Sequence, residues 1–309
     1  MGGGNWDTAA YTSAATSRKA TGQADFGYHE EVQRGRAEGV HPTLDPRNIA
    51  KSIMGVRESR DSAEHPQSVP IMIAFDVTGS MRNIPTVMQQ KLPKLMDTIL
   101  AKTSLADPQI LMSAIGDYHS DRYPVQVGQF ESDNRFDEQL RNIILEGGGG
   151  GQNMESYGHT FYVANQLIAT DAWEKRRKKG YLFTIGDEKF WPELSAQELN
   201  DVYDVGAQAS VQVSDLIKQA KEQWEIFHIV PTQTSYGDSN VGFWREHLGE
   251  RVIELDDMNL VCETIAGAIG MMESATQVNQ TVRDIGLTGD AGRSLAQALS
   301  GLVSGSASA

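Results

Sequence analysis

Cysteine is almost absent: Cys262 is the single one among 309 residues. An intramolecular disulfide and a thiolate-built zinc site are therefore excluded. Cys262 lies in the run Leu260 to Ile265, which predicts a small buried hydrophobe. Basic residues are also scarce. There are 27 Lys and Arg against 41 Asp and Glu, a formal net charge of -14. That balance argues against general nucleic-acid binding, which needs a clustered basic face. It suits attraction to cations or basic partners. No stretch approaches the ~18 to 20 apolar residues that span a bilayer, so no membrane segment is expected. The start, Met1-Gly2-Gly3-Gly4-Asn5-Trp6, has neither the basic nor the apolar part of a signal peptide. Trp6 stands where a myristoylation signal wants Ser or Thr. A reducing cytoplasm is the expected location. The glycine run 147 to 151 is not followed by Gly-Lys-Ser/Thr, so it is no P-loop. No nucleophile elbow appears, and His119, His159 and His228 show no zinc-helix spacing, so they are expected as structural residues.

What is present divides the chain in three. Residues 1–66 are rich in Gly, Ala, Thr, Ser and charge and cannot bury much surface alone. They read as a partly ordered extension, with short helices around Phe26 to Glu38 and Pro46 to Met54. Residues 67–277 carry the main domain. Within it, Pro70 to Phe75, Ile110 to Ile115, Tyr181 to Ile185, Glu225 to Val230 and Arg251 to Leu255 are short apolar runs of the kind that form buried strands. Val125 to Phe130 alternates as an edge strand would. Helical patterns lie between them: from the turn after Asp76 through Leu100, near Arg135 to Ile144, from His159 to Trp173, and from Asn259 to Glu273. Pro85 suits a first turn, whereas Pro93 predicts a kink or break. Strands alternating with helices predict an α/β fold, a doubly wound and mostly parallel sheet with one antiparallel edge strand and helices on both faces. Residues 278–309 fade into Ser, Gly and Ala and read as a flexible tail.

In such sheets ligands bind beyond the carboxyl ends of the strands. Asp76-Val77-Thr78-Gly79-Ser80 falls there, directly after the first buried strand. A turn would aim Asp76, Thr78 and Ser80 at one spot. One carboxylate and two hydroxyls are hard oxygen ligands suited to Mg²⁺, Mn²⁺ or Ca²⁺. Asp187, after the strand Tyr181 to Ile185, is a second acid at a strand end. Gln152, Asn153 and Glu155 follow the glycines. The bland alternative stays open at each position: Asp76, Thr78 or Ser80 as helix caps, and the Gly-Asn segment as a plain turn. Asp117, in Ile115-Gly116-Asp117-Tyr118-His119, reads as a supporter of the loop. The basic run Lys175 to Lys179 reads as a solvated helix end.

Phe75-Asp76-Val77-Thr78-Gly79-Ser80-Met81 resembles the metal-ion-dependent adhesion site (MIDAS) of von Willebrand factor A (VWA) domains, D-x-S-x-S, with Thr in the first Ser place. Asp187 in Thr184-Ile185-Gly186-Asp187 matches that family's later Asp. The family's second element, a Thr in a Gly-rich loop, corresponds to Gly147 to Glu155. Here the sequence departs, because no Thr appears before Thr160. The departure, and Ile115-Gly116-Asp117-Tyr118-His119, resemble the VWA branch found beside alpha-kinase domains. The resemblance spans about residues 70 to 275. It implies a binding module and no enzyme, holding Mg²⁺ (or Mn²⁺ or Ca²⁺) through Asp76, Thr78, Ser80, Asp187 and the loop residues Gln152, Asn153 and Glu155. It implies further a protein partner whose Asp or Glu completes the coordination, and for intracellular bacterial relatives a separate MoxR-type AAA+ ATPase. Two alternatives stand beside it. One is a metal-dependent phosphohydrolase of the haloacid dehalogenase kind, which Thr78 in place of an acid argues against. The other is a scaffold of this fold without metal.

Overall fold

The computed structural model describes residues 4–302 apart from 53, 82, 106, 149, 150 and 152. Six strands form the central sheet: β1 Val69–Asp76, β2 Pro108–Ile115, β3 Val125–Val127, β4 Gly180–Ile185, β5 Trp224–Pro231 and β6 Val252–Leu255. Every residue of β1, β2 and β4 is buried. Strands covered on both faces are mostly apolar, which is why these runs stand out in the sequence; their few buried polar side chains, among them Gln109, Ser113 and Thr184, are hydrogen-bonded. The order across the sheet is β6-β5-β4-β1-β2-β3. All neighbours are parallel except β3, which runs antiparallel to β2 with Ser113 opposite Val127. The edge strand is shorter than expected. It ends at Val127, and a lone antiparallel bridge joins Ile110 to Glu131 further on.

The pleat sorts side chains by parity. Ile71, Ile73 and Phe75 face one core, shared with the helices Ile84–Lys102 and Val261–Ser274. Met72 and Ala74 face the other, filled by Phe161, Leu216, Ile217 and Trp244 from the helices Gly158–Gln166, Val213–Gln223 and Gly237–Leu248. Helices therefore lie on both faces of a doubly wound sheet.

Three expectations are corrected. The helix Ile84–Lys102 runs as one element through Pro93, with Pro85 in its first turn. Burial of Met88, Leu95, Met96 and Ile99 against the sheet outweighs the hydrogen bond lost at the proline. The expected helix from 159 to 173 is two, Gly158–Gln166 and Asp171–Arg176. Between them Ile168–Thr170 pairs in parallel with Arg57–Ser59, and Thr170 caps the second helix by accepting from the Trp173 amide. The residues after 277 are not a flexible tail throughout: Val278–Ile285 and Gly289–Leu299 are helices. Val282, Ile285, Leu295 and Leu299 enter the core beside Val261–Ser274. Their three- and four-residue spacing makes an apolar stripe on an otherwise small and polar segment.

The first residues lie against this body. Helices form at Thr8–Ala20, Gly27–Gln33 and Arg47–Ala50, the last two shorter than the sequence predicts. Phe26 and Leu44 join one core and Ile49 the other. Cys262 is buried, as expected, and its thiol donates to the Lys91 carbonyl at 2.9 Å.

Candidate metal centre

Strand order reverses between β1 and β4, and this is where open α/β sheets leave a crevice for ligands. Asp76 is the last residue of β1, and Asp187 follows β4 by two. Both are fully buried. Asp76 Oδ1 accepts from the Thr78 amide at 2.8 Å and from the Thr78 hydroxyl at 2.6 Å, a turn in which the side chain holds its own backbone. Thr78 Oγ1 lies 3.4 Å from Ser80 Oγ, and Ser80 donates to Asp187 Oδ1 at 2.7 Å. A continuous chain of oxygens thus links the four sequence-predicted residues Asp76, Thr78, Ser80 and Asp187. The other oxygen of Asp187 accepts from the Tyr236 amide at 3.3 Å. Burial, with Asp187 nearby, pushes the Asp76 carboxyl up to about 7 against the pull of its Thr78 hydrogen bonds.

The glycine loop closes over this turn. The Gly79 amide donates to the Gly148 carbonyl at 2.5 Å, and a Cβ on Gly79 would meet that oxygen at 2.6 Å, so only glycine fits. Of the loop residues, Gln152 lies outside the described residues. Asn153, in the left-handed region at φ 58°, does not turn to the acidic chain. Its Oδ1 accepts at 2.5 Å from Asn240 Nδ2, which also donates to the Asp187 carbonyl at 2.7 Å. Asn240 therefore ties the loop to the end of β4. Glu155 is buried where Met154–Glu155 pairs in parallel with Lys189–Phe190. It hydrogen-bonds Glu188, and one of its oxygens, Oε2, has no partner among the described residues. Burial, Asp76 and Glu188 raise the Glu155 carboxyl far above the usual carboxylate range, and burial raises Glu188 as well. Asp117 accepts from Trp191 Nε1 at 2.7 Å and from Ser120 Oγ at 2.8 Å, holding the loop after β2 to the segment after β4.

Sequence reasoning missed Tyr157, Glu188, Trp191 and Asn240. Glu188 adjoins Asp187 and could have been read with it. The others carry no local signal, because the fold alone brings them to the strand ends.

Among the described residues no Lys, Arg or His pairs with Asp76, Asp187, Glu155 or Glu188. Nor do three or more His, Cys, Asp or Glu side chains converge there as a ready cation cage. A cation here would draw on hydroxyls and water as well as on Asp76 and Asp187. The donor set, carboxylate and hydroxyl oxygen throughout, fits a hard divalent cation. The Glu155 oxygen without a partner among the described residues adds one more oxygen donor at its border, on a carboxyl that burial biases toward its protonated form.

No protein-family model matches this chain, and no curated protein matches it. Among solved structures it is similar to proximal thread matrix protein 1 (PTMP1) from the mussel byssus, at 12% identity and a TM-score of 0.43 over 65% of this chain and 47% of that one. It is also similar to the pilus adhesin SpaC from Lactobacillus rhamnosus GG in its open conformation, at 8% identity and a TM-score of 0.45 over 68% of this chain and 31% of that one. A PTMP1 structure described as having a zinc-occupied MIDAS motif matches at 13% identity, with a TM-score of 0.43, over 65% of this chain and 47% of its own. The chain thus spans less than half the length of these proteins.

Proposed function

We propose that this chain is a divalent-cation-dependent protein-binding module of VWA type. Asp76, Thr78, Ser80 and Asp187 hold the cation, and a carboxylate from a partner protein completes its coordination. The observation that carries this reading is the unbroken oxygen chain from Asp76 to Asp187 at the reversal of strand order. Buried carboxylates with no basic partner among the described residues are costly unless a cation or a proton compensates them. A bound cation would supply positive charge and coordination positions for an anionic group. Mg²⁺ is the expected ion, with Mn²⁺ and Ca²⁺ sharing the same ligand chemistry.

Gln152, Asn153 and Glu155 belong to this proposal as the loop that borders the ion. Support for the three is unequal. Asn153 is held by Asn240, whereas Glu155 keeps one oxygen unpartnered. The phosphohydrolase alternative gains nothing from the geometry, because Thr78 is spent as a hydroxyl donor to Asp76.

The test is the melting temperature in chelator and then in Mg²⁺, Mn²⁺ or Ca²⁺, for the wild type and Asp76→Ala. A ligand that binds only the folded state stabilises it by about 2.7 kcal/mol at 100 times its Kd. A saturable rise in the wild type that vanishes in Asp76→Ala is the expected outcome. No rise with any cation would leave a scaffold of this fold without a working site. Affinity capture in Mg²⁺ against chelator, with Asp76→Ala as control, then reads out the partner. A AAA+ ATPase retained only by the wild type in Mg²⁺ is what the adaptor role requires.

A further inference from the structure

Tyr157 is fully buried, and its hydroxyl donates to Asp76 Oδ2 at 2.9 Å. Oδ1 already takes two donors, both from Thr78. Tyr157 is therefore the one donor outside the Asp76–Ser80 turn that fixes the plane of this carboxylate among the described residues. The phenol is itself confined. Its ring meets Trp244 edge to face at 5.2 Å and His228 at 5.8 Å, both at 84°. Its amide donates to the Glu155 carbonyl at 2.9 Å. Gly186, just before Asp187, makes room for it: a Cβ there would lie 1.8 Å from the Tyr157 oxygen and 3.0 Å from Asp76 Cβ.

We infer that Tyr157 is a positioning residue, which orients the Asp76 carboxylate for a divalent cation and uses the missing side chain at Gly186 to reach it. The inference rests on the reading of Asp76 as a cation ligand. An aspartate carboxylate turns broadly about its last torsion. A buried donor on the oxygen that Thr78 leaves open removes that freedom before a cation arrives. Partners of this kind typically contribute about 10- to 100-fold in metal affinity. Thr78 cannot substitute, since both of its donors act on Oδ1. The position also explains an acid-rich pocket with a phenol inside it: a neutral hydroxyl can touch Asp76 without competing with the ion as a cation would.

Tyr157→Phe tests this, because it keeps the ring and both aromatic contacts. Mg²⁺ and Mn²⁺ are titrated calorimetrically into the full chain, as wild type, Tyr157→Phe and Tyr203→Phe. Tyr203 is a second buried tyrosine, whose hydroxyl meets His159 instead. Kd is expected to rise about 10- to 100-fold in Tyr157→Phe and to stay within about twofold in Tyr203→Phe. The melting temperature in chelator should change similarly in both variants, which a merely structural role would also give; the split in Kd is what it would not give. Equal Kd for wild type and Tyr157→Phe overturns the inference. If Tyr157→Phe does not fold, Gly186→Ala supplies the readout, since its methyl displaces the hydroxyl; unchanged affinity there overturns it equally. A wild type that binds neither cation sinks the site reading itself, and this inference with it.

Discussion

His228, in the middle of β5, is a fully buried polar ring. Its Nδ1 lies 2.8 Å from Thr184 Oγ1, and its ring stacks on Trp244 with centroids 3.6 Å apart. Burial lowers its pKa well below the usual 6.5, against a smaller opposing effect of the Gly186 backbone. The folded chain thus keeps this imidazole neutral while the unfolded chain takes up a proton below about 6.5. Stability from this residue is complete above that pH and declines as pH falls, by up to about 1.4 kcal/mol per pH unit. The raised carboxyl of Asp76 acts in the opposite sense, because its folded form binds the proton more readily. A single pH profile mixes the two, so the variant isolates the histidine. Urea unfolding of His228→Gln across roughly pH 5 to 8 should show lower stability at neutral pH but a shallower acid decline than wild type. An unchanged slope would mean that protonation elsewhere governs the acid limb. At this scale, legibility followed chemistry that is local in sequence. Asp76, Thr78 and Ser80 could be read because alternate residues of one turn converge, and Asp187 because it follows closely on the end of a buried strand. Tyr157, Asn240 and Trp191 could not, since each acts across more than fifty residues of intervening chain.

Elements were legible where burial is two-sided. β1, β2 and β4 are apolar along most of their length because helices cover both of their faces, and that pattern has few other readings. Where burial is partial the signal thins. The two C-terminal helices each bury only a few side chains, Thr281, Val282 and Ile285 in one and Leu295, Ala298 and Leu299 in the other, among Ser, Gly and Gln. Yet they close the core beside Val261–Ser274, which is buried along nearly all its length. Leu295 and Leu299 are four apart and fully buried, so they act as the anchor of the last helix. Leu295→Ala should therefore cost about 2 to 5 kcal/mol, as removal of a core leucine does. A flexible tail would lose nothing measurable in urea unfolding, which makes this variant a direct test of whether the segment belongs to the folded unit. The basic run after Trp173 departs from its expected role in the same way. Arg176 donates to Asp61 at 2.7 Å and to the Ser68 carbonyl, Lys178 pairs with Glu273 at 2.8 Å, and Arg177 lies over the Trp173 ring. Its charges clamp neighbouring elements together more than they solvate a helix end.

For the molecule as a whole, the question is what the first fifty residues do for the body they lie on. Composition shows only that they cannot fold alone, and the structure divides them into two parts. The helix Thr8–Ala20 buries no side chain and is held by polar contacts: Trp6 Nε1 to Asp97 at 2.8 Å, Arg18 to Asp137 at 2.9 Å, and the Gly4 carbonyl with Ser132 and His65. Residues 26 to 50 are different. Phe26, Leu44 and Ile49 enter the two cores, and the Leu44 carbonyl accepts from the Val127 amide at 2.8 Å, covering part of the exposed edge of β3. An uncovered edge is a template for association with another chain. Each buried apolar side chain contributes about 1.5 to 3 kcal/mol, so three together rival the net stability of a typical domain, about 5 to 15 kcal/mol. The first helix adds none, but its truncation also removes Trp6, which packs against the core, and deprives Asp137 of Arg18 in a pair only 15% and 10% exposed. Removing residues 1–22 should accordingly lower the urea midpoint, by less than the loss of residues 26 to 50 does, and leave the protein monodisperse to the same extent as the full chain. Removing residues 1–51 should yield a protein that is unfolded or aggregates through the bared edge strand. Equal loss from both truncations would place the stabilising contacts in the first helix; no loss from either would mean that Phe26, Leu44 and Ile49 cover a core already closed without them.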